Sequence, residues 1–309
     1  MTSPTSVLTP PLAGDAKRRS PLNRRIAMAG WGFILPFFVG FVLFVVVPVA
    51  YSIYLSLYRN QLIGGNHFVG FANYLQAFTD GDFWSGVLRV AIFLVVQVPI
   101  MLVLALVCAL AIDSGRLHGK SFFRIVLFLP YAVPGVVAVL MWGFMYNPRA
   151  GLTGAIGHVL GVTIDPISTH WVLAAIGNIV TWEFLGYNML IFYAALSTIP
   201  TELYEAAALD GAGTFRTIVS VKLPALRGAI VITTIFSIIG SFQLFNEPNI
   251  LRTTALGIIP TNFTPNLYAY TLSFSGQQVN YAATIAIIMG VVTAVVAYVV
   301  QLRGSRKDA

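Results

Sequence analysis

Long apolar segments separated by short polar ones are the main feature of the sequence. Each of six such segments holds about 20 residues or more, the length that an α-helix needs to cross the hydrocarbon core of a bilayer. The segments cover residues 26–54, 87–112, 122–146, 171–196, 226–245 and 281–302. The pattern therefore predicts an all-α integral membrane protein with six transmembrane helices.

The first apolar segment follows a basic stretch that resembles the start of a signal peptide. A signal peptide carries an apolar region of about 7–15 residues, followed by a small-residue cleavage site that is missing here. Residues 26–54 are therefore expected to remain as a transmembrane helix, with Pro36 and Pro48 as kink sites. The predicted divisions are a disordered basic cytoplasmic tail (1–25), the first transmembrane helix with an external loop (26–86), a transmembrane core (87–302) and a cytoplasmic tail (303–309).

Composition supports the membrane class and argues against a soluble domain. The chain is 57% hydrophobic and 9% charged, with a mean hydropathy of +0.82, whereas about 25% of the residues in soluble domains are charged. The lone cysteine, Cys108, lies in an apolar run, so no internal disulfide forms and a packing role is expected.

The basic residues predict the orientation of the spans. If the N-terminus lies inside, fourteen of the eighteen Lys and Arg residues fall on the inner side. The positive-inside rule then places both termini and the polar segment 200–224 on the cytoplasmic side of the membrane. The formal charge of +7 therefore reflects topology, and no nucleic-acid partner is expected.

Two polar regions are predicted on the outer side. Phe71, Tyr74, Leu75 and Phe78 recur at helical spacing, which indicates a short helix lying on the outer interface. The segment 247–280 is rich in Pro, Asn, Thr, Tyr and Gln, so it is too polar to span and is predicted to be an external loop. A loop of this size is large enough to receive a partner.

The segment 200–224 carries the signals for two short helices. Pro200 suits the start of the first helix, and Gly211 and Gly213 allow the left-handed backbone that ends one. Thr214 is able to cap a second helix. We therefore predict a cytoplasmic knuckle, 200–224, in which two helices meet at a glycine elbow.

The knuckle resembles the signature loop of ABC importer permeases. The matching order is Glu-Ala-Ala, three residues, Gly, nine residues, an aliphatic residue, any residue, and Leu-Pro. The resemblance implies that the knuckle docks into a cleft of an ATPase subunit and transmits its motion; the alternative is an amphipathic interfacial helix with no partner. The expected coupling residues are Glu205, Ala206, Ala207, Asp210, Gly211, Gly213, Leu223 and Pro224, and Val221 fills the aliphatic position.

The sequence offers no support for chemistry in this chain itself. Residues 115–121 look like a phosphate-binding loop, but they have three residues between the glycines where four are required. The four histidines have no Cys or carboxylate neighbours at the spacing of metal ligands, so no metal site is expected. The chain is therefore interpreted as a transport subunit without enzymatic activity or cofactor, and ATP and Mg²⁺ are expected on a partner ATPase.

Polar residues inside the fourth and fifth spans indicate a pathway for solute. Unpaired polar groups are costly in hydrocarbon, so such side chains usually face a cavity. Trp182, Glu183, Tyr187, Gln243 and Asn246 are candidates on this argument. The small residues of the fifth span fit close helix packing equally well.

A second resemblance covers nearly the whole chain and is to the maltose-type sugar permeases. It rests on residues 122–135, 182–200 and 241–248. It implies a type I ABC importer architecture with a homologous second permease, an ATPase dimer and an extracytoplasmic sugar-binding protein as partners. It also implies these pathway positions: Trp182, Leu185, Gly186, Met189, Ser237, Gly240, Ser241 and Leu244.

The expected substrate is a neutral mono- to oligosaccharide. Aromatic faces and amides suit a hydroxyl-rich ring. The membrane interior between the fourth and fifth spans holds one carboxylate, Glu183, with Glu247 near the outer end, and no Lys or Arg. Two alternatives remain at this point. One is a proton-coupled secondary transporter that uses Glu183, and the other is a membrane scaffold that transports nothing.

Overall fold

The computed structural model describes residues 21–61, 65–115, 117–254 and 257–305. Its α-helices begin with α1 (Pro21–Phe41), α2 (Val47–Ser56), α3 (Ala72–Thr79), α4 (Gly81–Asp113), α5 (Lys120–Phe128), α6 (Gly135–Met145), α7 (Leu152–Leu160) and α8 (Val172–Leu196). They continue with α9 (Thr201–Leu209), α10 (Thr214–Thr217), α11 (Leu223–Ala225), α12 (Arg227–Phe242), α13 (Asn246–Thr254), α14 (Pro265–Phe274) and α15 (Val279–Ser305). Strands β1 (Tyr58–Gln61) and β2 (Gly65–Phe68) form an antiparallel hairpin in which Tyr58 faces Phe68.

The chain divides into two compact units, the first ending at Tyr51 and the second beginning at Ser52. In the first unit, α1 begins at Pro21, so the predicted disordered tail is wrong for residues 21–25, while residues 1–20 lie outside the described part. Proline suits the first turn of a helix because it has no N–H to leave unpaired. A π-helical turn at Val42–Val46 joins α1 to α2, and its side chains are largely exposed and apolar, as lipid contact requires.

The second unit contains the remaining candidate spans. Among the described residues of both units, four helices are long and apolar enough to cross a membrane. The number of candidate spans rises to six if each of two bent helix pairs counts as one span. The long spans of this unit are α4, α8 and α15, with α4 and α8 packed along each other. The last helix continues to Ser305, so residues 303–305 of the predicted tail are helical and 306–309 lie outside the described residues.

The predicted span 122–146 is not continuous. Helix α5 and a short 3₁₀ turn (Leu129–Ala132) meet α6 at an angle of 97°. Pro130 and Pro134 each lack an N–H, and the residue before a proline avoids the helical region, as the extended backbone of Val133 shows. Leu129 before Pro130 stays helical, so the break in the middle of the apolar segment lies at Val133 and Pro134.

The predicted span 226–245 also differs from the structure. Helix α12 ends at Phe242, and the segment from Thr214 to Ala225 meets it at 65°. The predicted external loop 247–280 is largely helical, because α13 and α14 occupy much of it. Thr264 starts α14 by accepting a hydrogen bond from the N–H of Leu267 at 3.2 Å, as a helix N-cap does.

A carboxylate joins three helices at the end of α4 that lies far from the knuckle. Asp80 caps α4 by accepting hydrogen bonds from the N–H groups of Asp82 and Phe83. It also accepts from the hydroxyls of Tyr268 on α14, at 3.0 Å, and Tyr281 on α15, at 2.6 Å. Burial raises the pKa of Asp80, but these hydrogen bonds favour its charged form more strongly, so the pKa lies below its ordinary value.

This shift has a direct consequence for stability against pH. A carboxyl whose pKa is lower when folded stabilises the protein above its unfolded pKa of about 4 and loses that contribution as pH falls through the folded value. We expect Asp80→Asn to lower the melting temperature of the purified protein at pH 7, with the gap to wild type narrowing below pH of about 4. Differential scanning fluorimetry in detergent measures the melting temperatures of the variant and of wild type at each pH. Equal melting temperatures at pH 7 would contradict a stabilising role of the Asp80 carboxylate.

Candidate functional site

A cavity of about 370 Å³ lies between α4, α8 and α12, within the range of small-ligand sites. Helix α4 supplies one part of its wall, α8 another, and α12 with the start of α13 a third. Its lining residues are Phe93, Gln97, Met101, Tyr131, Val180, Phe184, Tyr187, Asn188, Phe236, Ser237, Gly240, Ser241, Gln243, Leu244, Asn246 and Glu247. We refer to this space as the central cavity.

The structure brings several of the predicted pathway residues together in the lining. On α12 and just beyond it, they recur on one face, since α12 turns that face toward α4 and α8 throughout its last two turns. The predicted residues that line the central cavity are Tyr187, Ser237, Gly240, Ser241, Gln243, Leu244 and Asn246.

The face of α8 that meets the cavity differs from the predicted one. Val180, Phe184 and Tyr187 line the cavity at helical spacing, and the predicted residue Trp182 does not belong to this face. The indole of Trp182 instead contacts Trp142 edge-on, with 5.8 Å between ring centroids and an interplanar angle of 76°. Trp182 therefore belongs to the packing of α6 against α8.

Two more predicted residues lie in packed regions outside the lining. Met189 is fully buried in an apolar cluster with Phe192 and Leu196, and Leu185 packs against the same cluster. The reason is again the helix face: these side chains point from α8 toward the knuckle end of the bundle, where α4 and the start of α12 cover them. Neither residue has access to the central cavity.

Gly186 serves a different purpose from the predicted one. A β-carbon at Gly186 would collide with the carbonyl group of Leu127 on α5. Glycine therefore lets α5 approach the backbone of α8 at the level where the broken helix turns. Gly186 is a contact point between helices and does not line the cavity.

Glu183 is buried beside the break between α5 and α6. Its side chain is 8% exposed, and its Oε2 has no hydrogen-bond partner among the described residues. The other oxygen, Oε1, would lie 3.3 Å from a β-carbon at Gly135, the first residue of α6. The positive end of that helix favours a carboxylate at this place. Glu183 stands next to the cavity wall, while Glu247 is part of the lining.

The sequence reasoning missed the part of the lining that α4 contributes. Phe93, Gln97 and Met101 face the cavity from α4, four residues apart. A signal was present, because Gln97 and Arg89 are the polar residues of the segment 87–112. The argument that a polar group in a span faces a cavity applies to Gln97 as it did to Gln243.

Aromatic rings form a flat surface in the cavity wall. The rings of Tyr131 and Tyr187 stack with centroids 4.8 Å apart and an interplanar angle of 19°. Phe184 meets Tyr131 edge-on at 5.7 Å. Tyr131 belongs to the 3₁₀ turn just before the helix break, so the break brings an aromatic ring from outside α8 to this wall.

The knuckle folds as α9 and α10 on either side of a glycine turn. Gly211 has a φ of +72°, a region that other residues avoid, and the N–H of Ala212 donates to the carbonyl of Ala207 at 2.9 Å. The second helix differs from the prediction in its cap. Gly213 holds the cap position with extended backbone, while Thr214 is already helical and caps nothing.

The predicted coupling residues lie mostly on the surface of the knuckle. Glu205, Ala206, Asp210 and Pro224 are exposed, with Gly211 and Gly213, while Ala207 and Leu223 are half-buried. A groove of about 280 Å³ between the two helices is lined in part by Ala206, Ala207 and Asp210. Beside the turn, Leu209 and Phe215 are 91% and 80% exposed. These two side chains leave apolar surface exposed beside the glycine turn.

The base of the knuckle is joined to the helix bundle. The ammonium group of Lys222 forms an ion pair with Asp113 at the C-terminal end of α4, and the pair is mostly shielded from solvent. Lys222 also lies over the ring of Tyr204, 5.4 Å from its centroid. Leu226, directly after the knuckle, is fully buried. The knuckle is thus held rigidly to α4 and α12.

The chain is similar in sequence to known membrane transport proteins. Residues 74–306 match the family described as binding-protein-dependent transport system inner membrane component. The chain is 32% identical to the lactose transport system permease protein LacF of Rhizobium radiobacter, over 91% of this chain and 95% of that protein. It is 31% identical to the diacetylchitobiose uptake system permease protein NgcF of Streptomyces coelicolor, over 95% of this chain and 90% of that protein.

The fold is similar to that of a solved transporter. A chain of a bacterial ABC transporter involved in the import of the acidic polysaccharide alginate superposes with a TM-score of 0.79 and 18% identity, covering 92% of this chain and 98% of that chain. A chain of the alginate transporter in complex with a periplasmic protein bound to an alginate pentasaccharide superposes with a TM-score of 0.76 and 19% identity. The match covers 93% of this chain and 96% of that chain. At these identities the likeness concerns the fold.

The contact at Gly186 leads to a matched pair of variants. Gly186→Ala places a methyl group against the Leu127 carbonyl and should destabilise the protein by about 1–3 kcal/mol, as overpacking does. Gly240→Ala serves as the control, because a β-carbon there meets nothing within 4 Å. Melting temperatures of the two purified variants decide the point, and an equally small shift for both would show that the helices do not meet as closely at Gly186.

Proposed function

This chain belongs to the family of binding-protein-dependent transport system inner membrane components, and from that premise we propose that it is the permease subunit of an ATP-driven importer of neutral saccharides. The observation that carries the substrate class is the lining of the central cavity. It combines the stacked rings of Tyr131 and Tyr187 with the side-chain amides of Gln97, Gln243 and Asn246. Aromatic faces suit the C–H faces of sugar rings, and amides both donate to and accept from hydroxyls.

The charge of the lining favours a neutral solute over an anionic one. Glu247 is the ionisable acid in the lining, and no Lys or Arg is among the residues that form it. An anion in a desolvated site needs an opposite charge nearby, since burying an unpaired ion costs several kcal/mol. An acidic saccharide such as alginate would therefore meet an unfavourable wall here, in spite of the shared fold.

Two of the relatives support the same class of substrate. The names of LacF and NgcF refer to lactose and to diacetylchitobiose, which are neutral disaccharides. A homologous second permease, two ATPase subunits and an extracytoplasmic saccharide-binding protein complete the proposed importer. We further propose six spans in the cell membrane, with both termini and the knuckle on its cytoplasmic side. Most Lys and Arg residues fall in the segments that this orientation places in the cytoplasm.

The proposed mechanism is alternating access coupled through the knuckle. Binding of ATP closes the ATPase dimer and moves the docked knuckle. The knuckle follows α8 along the chain and precedes α12, so its motion reaches two walls of the central cavity directly. The ion pair between Lys222 and Asp113 extends this connection to α4, the third wall. A change at the ATPase can shift the cavity between its two open states only through such differential contacts.

Transport by the complete importer tests the proposal. The chain, its partner permease, the ATPase subunits and the binding protein are reconstituted in proteoliposomes. A panel of neutral mono- and disaccharides that includes lactose and diacetylchitobiose is compared with an alginate pentasaccharide. We expect ATP-dependent uptake of a neutral sugar that a protonophore leaves unchanged. Uptake driven by a pH gradient without ATP would instead favour the proton-coupled alternative, and uptake of the acidic oligosaccharide without competition by neutral sugars would contradict the substrate class.

A variant at the elbow of the knuckle tests the coupling role. Gly211→Val places a branched side chain at a φ of +72°, which costs about 1–2 kcal/mol and changes the shape of the docking surface. We expect normal membrane insertion but loss of stable ATPase association and of ATP-dependent uptake. Co-purification of the ATPase and uptake rates measure the two effects.

The matched control is Gly161→Val at the end of α7. Gly161 also has a positive φ, +67°, and a β-carbon there meets nothing within 4 Å. It therefore carries the same backbone strain outside the knuckle and should keep ATPase association. Equal loss in both variants would assign the effect to general destabilisation, and normal uptake by Gly211→Val at equal expression would remove the knuckle from the mechanism.

A further inference from the structure

An incompletely satisfied amide lies in the wall of the central cavity. Gln97 on α4 is 7% exposed and lines both the central cavity and a second cavity of about 470 Å³ between α4 and α8. Its Nε2 donates to the hydroxyl of Thr181 on α8 at 3.2 Å, and it lies 3.5 Å from the sulfur of Met101. Its Oε1 has no hydrogen-bond partner in the part of the chain that the structure describes. Buried acceptors are rarely left in this state, so the atom needs an explanation.

A second amide meets the same sulfur atom from α8. Asn188 is 2% exposed, and its Nδ2 donates to the carbonyl of Phe184 at 3.0 Å and to Met101 at 3.7 Å. A thioether is a weak acceptor. Two amides from two helices therefore converge on a group that binds neither strongly, beside an acceptor that binds nothing.

Packing alone does not account for this arrangement. The bond from Gln97 to Thr181 joins α4 to α8 in the way that polar residues commonly join transmembrane helices. That bond uses the amide nitrogen of Gln97 and leaves its oxygen unused. A structural role would be equally well served without an unpaired buried acceptor.

We propose that Gln97, Met101 and Asn188 form a hydroxyl-binding subsite that determines which saccharides pass through the central cavity. This proposal rests on the function proposed above. A sugar hydroxyl donates its proton to Gln97 Oε1 and accepts from an amide N–H, because a hydroxyl has both capacities. A carboxylate or a hydrogen at the same ring position has no proton to donate to Oε1, so the subsite selects for a hydroxyl at that position. The sulfur of Met101 is a weak acceptor for both amides.

Transport of deoxy sugars by variants of the complete importer tests the subsite. The probe is the neutral disaccharide that the wild-type importer accumulates in proteoliposomes, together with its monodeoxy analogues. For wild type, we expect one analogue to be transported about tenfold more slowly, as the loss of one hydrogen bond implies. Gln97→Leu should slow the parent sugar by a similar factor and show no further loss with that analogue, because the interaction is already absent. The binding protein is the same in both, so its own preferences cancel in the ratio.

The controls separate this proposal from the one on which it rests. Gln76→Leu is the same chemical change at an exposed position on α3 and should keep the wild-type pattern across the analogues. If Gln97→Leu fails to assemble with the ATPase, Gln97→Asn carries the test, since it keeps the amide but withdraws it by one methylene. Equal slowing of the parent sugar and every analogue, or no effect of either Gln97 variant, would overturn the subsite. No uptake of any neutral sugar by wild type would instead overturn the proposed function.

Discussion

The structure depends on the requirement that backbone groups inside a bilayer find partners within the protein. A helix meets this requirement by itself, and a helix that ends within the membrane does not. Two apolar segments of this chain nevertheless break: α5 and α6 separate around Pro134, and α12 ends at Phe242 before α13 begins. Both breaks adjoin the central cavity, as Tyr131 and Gln243 in its lining show. Irregular backbone is tolerated where it is covered by protein or lines a cavity, so the cavity and the breaks are parts of one arrangement.

Long, rigid helices connect this cavity to both ends of the bundle. Helix α4 extends from the Asp80 network to the ion pair of Asp113 with Lys222, and it presents Gln97 to the cavity between them. Helices α8 and α12 lead from the cavity into the knuckle and out of it. An element that moves the knuckle therefore moves the cavity walls as well. A transport subunit needs this property, and an unconnected membrane scaffold has no use for it.

The sequence predicted the features that follow from local patterns. Apolar segment length predicted α4, α8 and α15 closely, and two glycines predicted the knuckle. The helix breaks and the part of the cavity lining that α8 supplies depend on tertiary packing. Pro134 stands in the sequence, but the 97° angle between α5 and α6 does not follow from it. Trp182 and Phe184 lie two residues apart on α8, and only the positions of α6 and α12 decide which one faces the cavity. Gln97 lies in the second span, outside the fourth and fifth spans whose polar residues indicated the pathway.

The central claim is that a neutral saccharide passes between α4, α8 and α12. The most direct measurement is a structure of the complete transporter, trapped with ATP on a hydrolysis-deficient ATPase and loaded with a transported disaccharide through its binding protein. The account predicts density for the sugar against the rings of Tyr131 and Tyr187, with a hydroxyl within hydrogen-bond distance of Gln97. An empty central cavity, with the sugar held at another place in this chain or between other subunits, would contradict it.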